Sequence, residues 1–280
     1  MKKIIFICFL SFIILCNVLD FTFWDSLKSY AFMYLYDKTQ NTLHKKGINF
    51  YIPGGLKTRK KDWYPLMLHY DASKYFSQYI KKDVSLYILY SFGAFDFFKG
   101  SSNFYNHASP YYASFYGGYA VFCNDSDRPY GFDKKGNINI EEIKKVPMFD
   151  QTHLVLPSVG CPKDKVFFET TVQKIAYNQT YIGMNGWTKI DAIIKSNAPI
   201  HKKSSIKNTG YIQYGKPHKN FYKGYEYPLI SLKGRIYVKY IDAFKGTFFL
   251  YIMAKDQKTV DLCDIQLLSK AYILKLKNTP

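Results

Sequence analysis

Arginine is scarce. The 280-residue chain has 39 basic residues, yet only Arg59, Arg128 and Arg235 are arginines, which leaves 36 lysines. Proteins that read nucleic acid lean on the bidentate guanidinium for phosphates and guanine edges. The formal net charge of +18 therefore does not argue for a nucleic-acid partner. The same chain is heavy in Ile, Tyr, Phe and Asn, the bias of AT-rich coding, which accounts for part of the lysine excess.

Cysteine is also sparse. Of five, Cys8 and Cys16 fall in the apolar opening, and Cys123, Cys161 and Cys263 follow it. Three cysteines cannot all pair within one chain. Cys123 and Cys161 each adjoin turn-forming residues, so a Cys123–Cys161 disulfide is the candidate bridge. The alternative is three buried thiols acting as small hydrophobes. The six histidines show no metal spacing and there is no Cys-x-x-Cys, so no metal is expected. Phosphate loops, nucleophile elbows and dinucleotide-type glycine patterns are missing as well, and no cofactor is expected. With 17 Gly, 11 Pro and no heptad or tripeptide period, collagen-like and coiled-coil chains are excluded. A hydrophobic content of 48% excludes disorder.

What the chain does have begins at its N-terminus. Lys2 and Lys3 precede an uncharged, mostly apolar run over 4–19 that ends at Asp20. Two positive charges before such a stretch form the pattern of an export signal. Residues 1–19 read as a signal peptide or an uncleaved membrane anchor, with 20–280 as the exported globular region. The bulky residues at Cys16-Asn17-Val18-Leu19 make a poor cleavage site, and Leu15 makes a poor lipid-attachment motif for Cys16. The expected location is extracytoplasmic, either secreted or anchored by this segment.

Two lysine-rich stretches follow: 38–61 holds seven basic residues and no acid, and 192–225 holds seven lysines and no acid. The plain reading is solvated loops. The functional reading is contact with an anionic membrane surface or an acidic cell-wall polymer, at about 1 kcal/mol per lysine close to a charged surface.

Between Tyr87 and Phe122 lie 14 aromatic residues. Rings at this density on strands fill a core. The alternative is a carbohydrate-binding platform of Tyr111, Tyr112, Tyr116 and Tyr119, with Gly117-Gly118 permitting close approach. One set of side chains, Asp150, His153 and Cys161, has the composition of a thiol nucleophile with a base and an orienting acid. It would suit an envelope hydrolase or transpeptidase, although the second His and the Arg of the transpeptidase pattern are missing around Cys161. The Asp133-to-Glu142 segment has calcium-loop residues in the wrong register and reads better as a turn.

The segmentation predicts an α+β protein with a largely antiparallel sheet and a few short helices. Helices are expected near 25–36, 72–80 and 256–269. Strands are expected at 65–70, 84–90, 119–123, 152–156, 166–175, 225–230, 235–241, 247–253 and 272–276. Turns are expected at Lys233-Gly234 and Lys245-Gly246. The polar segment 124–145 is the candidate boundary if the exported region forms two halves. On balance the sequence suggests a non-enzymatic binding or structural protein.

Overall fold

The computed structural model describes residues 42–53, 68–92, 112–124, 128–158, 161–198 and 227–276, with short pieces at 62–63, 95–96 and 101–102 and residues 8, 9, 11, 12 and 14. The leader and the helix expected at 25–36 thus lie almost wholly outside the described residues. Among these, no helix is long and apolar enough to cross a membrane.

The first element described in full is a single helical turn, α1 (Thr42–Lys45), followed by strand β1 (Ile48–Tyr51). Next come β2 (Asp62–Trp63), β3 (Leu68–Asp71), α2 (Ser73–Ile80), β4 (Val84–Phe92), β5 (Phe95–Asp96), β6 (Ser101–Ser102) and β7 (Phe115–Cys123). Helix α3 (Ile140–Phe149) runs into a π-helical segment (Asp150–Val155) and α4 (Leu156–Ser158). The rest is β8 (Phe168–Tyr181), β9 (Met184–Asn197), β10 (Leu229–Ile241), β11 (Gly246–Ala254), α5 (Gln257–Gln266) and β12 (Tyr272–Lys275).

Seven strands form one antiparallel sheet in the order β3-β4-β7-β11-β10-β9-β8. β1 and β12 make a separate antiparallel ribbon, and β2, β5 and β6 a small third sheet. Strand β7, before the polar segment 124–145, is hydrogen-bonded to β11, far after it. Both halves of the chain therefore contribute to a single sheet, and α3 begins inside the segment.

Burial on both faces explains the aromatic density. Along β7, Phe115, Tyr119 and Val121 enter one core while Tyr116, Ala120 and Phe122 enter the other, as the two-residue period of a strand requires. β11 does the same with Phe249, Tyr251 and Met253 against Phe248, Leu250 and Ile252. Phe76 of α2 and Ile143, Val146 and Phe149 of α3 cover the first face. The β1–β12 ribbon covers the second with Ile48, Phe50 and Ile273, joined by Leu43 of α1 and Val260 and Cys263 of α5. The result is a central sheet between a helical layer and a layer of ribbon and helix.

Several expected elements differ in kind. Residues 152–156, which alternate like a strand, belong to the π-helical segment and α4. Asn139 caps α3 by accepting from the Glu142 amide, and the helix continues past Pro147 and takes the wider turns of a π-helix from Asp150. Lys233-Gly234 is no turn. Gly234 sits within β10, where an added Cβ would come 2.6 Å from Ile194 Cδ1, so the glycine serves packing. Lys245-Gly246 does turn, with Lys245 in the left-handed region at φ 51°. In α5 and just after it, Val260, Cys263, Leu267 and Leu268 are buried, as the periodicity predicts.

Candidate anion-binding cleft

At one end of the sheet, four separate stretches of chain converge: the turn after α1, the end of β7, the 3-10 turn before β11, and the end of β12. They enclose an open cleft of about 780 Å3. Its rim carries Lys45, Lys46, Lys245, Lys275 and His44, and its wall is built from Ile48, Phe122, Phe244 and Leu276. Among the described residues, no acidic one lines it. The Lys46 ammonium lies 5.2 Å from the Phe122 ring centre and 5.8 Å from that of Tyr87, so two ring faces hold it in place. Lys245 Nζ lies 2.7 Å from Asp242 Oδ1. Lys45, Lys46 and Lys275 make no ion pair among the described residues.

The fold brings this cluster together from positions that look unrelated in sequence. Lys45 and Lys46 belong to the basic run 38–61, whereas Lys245 and Lys275 lie in neither lysine-rich stretch. Lys245 reaches the site because the β10–β11 connection turns there. Lys275 reaches it because β12 pairs with β1 in a register that sets it opposite Ile48. The described arginines serve a different purpose. Arg128 pairs with Glu142, which also takes Lys82 and the Gly131 amide. Burial raises the Glu142 pKa, but Lys82 and Arg128 outweigh it and hold the carboxyl below its usual range. Arg235 is buried against Asp191 and Asp264.

Asp150, His153 and Cys161 each have hydrogen-bond partners other than one another. His153 Nδ1 is 2.8 Å from Thr152 Oγ1, and its ring stacks on Phe149 and meets the edge of Tyr79. Asp150 is fully buried and accepts from the Tyr119 hydroxyl at 2.7 Å. Cys161 is buried with its thiol toward the Pro162 carbonyl, and burial raises its pKa to about 11, opposite to what a nucleophilic thiol needs. No hydrogen bond joins the imidazole to the sulfur among the described residues. Cys161 carries a free thiol, so no bridge links it to Cys123, which sits at the far end of β7 beside Tyr130.

Two of the four residues of the expected aromatic platform are interior. Tyr116 and Tyr119 are 2% and 0% exposed and point into opposite cores, and Tyr112 is half-buried. Tyr111 lies outside the described residues. What approaches Gly117 and Gly118 is the protein itself: the Leu89 carbonyl and the Phe50 ring. The calcium-like segment is a turn in which Asp133 accepts from the Lys135 and Asn137 amides. Among the described residues there is no cluster able to hold a metal ion.

The burial of Asp150 has a measurable consequence. Burial raises its carboxyl pKa well above the usual range, against the smaller, lowering effect of the Tyr119 hydrogen bond. A group whose folded pKa lies above its unfolded value favours folding when protonated, so its contribution is lost as pH rises from the unfolded pKa towards the folded one. Asp150→Asn is expected to raise the urea midpoint at pH 8 by more than at pH 4, with CD as the readout. An equal shift at both pH values would mean that the carboxyl is not held protonated.

In comparisons with known proteins, no family model matches the chain, and no curated protein and no solved structure matches it either.

Proposed function

We propose that this chain is a non-enzymatic α+β binding protein of the cell envelope, secreted or tethered by its apolar leader, which holds an acidic envelope component in the lysine cleft. The observation that carries this reading is the placement of Lys45, Lys46 and Lys275, without acid partners among the described residues, around one partly apolar concavity. The leader pattern behind Lys2 and Lys3 supplies the compartment. Lysine suits the task, because a compact ammonium attracts charge without demanding the planar geometry of a guanidinium.

Co-sedimentation with vesicles of acidic phospholipid, and with an acidic polymer immobilised on beads, tests the reading. At about 1 kcal/mol per lysine, Lys46→Ala/Lys275→Ala should weaken retention by roughly thirtyfold at low salt. Lys174→Ala/Lys255→Ala, of equal charge but remote from the cleft, should change it far less. Equal losses from the two pairs would mean diffuse attraction by net charge and would remove the cleft from the function. Fractionation adds the compartment: the chain belongs in the membrane fraction or the medium, and a full-length product in cytosolic extract contradicts export.

A further inference from the structure

We propose that the cleft takes the phosphate-bearing headgroup of a lipid, with Lys45, Lys46 and Lys275 on the phosphate and the adjoining apolar part of the lipid on Phe244 and Leu276. This rests on the acidic-partner reading above and narrows it to one ligand chemistry.

Three features point to it. First, Lys45, Lys46 and Lys275, which make no ion pair among the described residues, come from two separated places, the turn after α1 and the end of β12, and line one space. A phosphate monoester, as in phosphatidate, presents several acceptor oxygens and about two negative charges to such a set, where a single carboxylate presents two oxygens and one charge. Second, a cleft of about 780 Å3 is far larger than a phosphate ion needs and lies within the range of sites for small organic ligands. Third, part of its wall is carbon: Phe244 and Leu276, both partly exposed, would gain nothing from a hydrated ion but would bury the start of an acyl chain. The wall is also preformed, since Phe244 packs edge-on against the buried Phe248 at 5.8 Å. In the other charged clusters, around Arg235 and Glu142, the charged groups are paired with one another.

Calorimetric titration of the full chain with dihexanoyl phosphatidate, inorganic pyrophosphate and dihexanoyl phosphatidylcholine, all below micellar concentrations, separates the possibilities. One saturable site is expected for phosphatidate, at least tenfold tighter than for pyrophosphate, with none for the zwitterionic lipid. Lys46→Ala/Lys275→Ala should weaken both phosphate ligands tenfold or more, whereas Phe244→Ala should weaken phosphatidate alone. If Lys46→Ala disturbs folding through its ring contacts, Lys45→Ala/Lys275→Ala provides the same test. Equal affinity for pyrophosphate and phosphatidate would overturn the lipid assignment in favour of free phosphate. Absence of a saturable phosphatidate site, with vesicles still retained through the cleft lysines, would overturn the headgroup and leave the acidic-partner reading standing. Loss of that cleft-dependent retention as well would overturn both.

Discussion

Arg235→Met is expected to cost about 3–5 kcal/mol of folding stability, the penalty for stranding the buried Asp264 carboxylate without its cation. Arg235 Nε reaches Asp191 Oδ1 at 2.7 Å, and Nη1 reaches Asp264 Oδ2 at 2.8 Å and Asp261 Oδ1 at 3.0 Å. Asp264 also accepts from the hydroxyls of Tyr181 and Tyr237, whose rings stack 3.7 Å apart. The guanidinium thus ties α5, which carries Asp261 and Asp264, to β9 and β10. Asp261 is 49% exposed, so water screens it and its share is small. Asp264 is buried and dominates. In urea unfolding, the triple variant Arg235→Met/Asp191→Leu/Asp264→Leu should recover much of the loss, because it removes the stranded charges together with their partner. A loss below about 1 kcal/mol for Arg235→Met would mean that the cluster is effectively solvated, the regime of exposed ion pairs.

Gly117→Ala should destabilise by about 3 kcal/mol, at the upper end of the usual range for overpacking a core. An added Cβ would stand 2.2 Å from the Leu89 carbonyl oxygen and 2.9 Å from the Tyr251 hydroxyl. The first of these is backbone of the neighbouring strand β4, which can yield only by bending the sheet. Gly118→Ala meets the Phe50 ring at 2.5 Å and should behave similarly, by pushing the β1–β12 ribbon off the sheet. Gly136→Ala is the control: nothing lies within 4 Å of its added Cβ, and only the left-handed φ of +81° opposes it, at roughly 1–2 kcal/mol. Thermal unfolding ranks the three. If Gly117→Ala proves no worse than Gly136→Ala, the close β4–β7 approach is wrong.

These two sites show how far the sequence could be read. The alternation in β7 and β11 and the inward residues of α5 are local patterns, and the strand-rich antiparallel architecture follows from them. Of the aromatics between Tyr87 and Phe122, Tyr87, Phe115, Tyr116, Tyr119 and Phe122 are buried, as expected of core for the same reason. Thr152 to Leu156 misleads because β-branched and apolar alternation is shared by strands and by a helix buried along one side. Here the cap at Asn139 decides, and it acts from thirteen residues upstream. Gly234 misleads because a glycine needed for side-chain clearance looks the same in sequence as one needed for a turn. The cleft could not be read at all. Lys245 and Lys275 are ordinary lysines until the β1–β12 pairing and the turn at Lys245 set them beside Lys46. Likewise, Asp150, His153 and Cys161 are close in sequence, but the helical segment turns Asp150 inward to Tyr119 and leaves the imidazole on Phe149.

Hydrogen–deuterium exchange of the full chain, with and without vesicles of acidic phospholipid, examines the cleft most directly. Protection on binding is expected in peptides covering 43–48, 121–124, 243–246 and 274–276, the four stretches that meet around Lys46, and should vanish at high salt. Protection confined to the lysine-rich stretch 199–225, with those four unchanged, would place the acidic partner elsewhere and contradict the cleft.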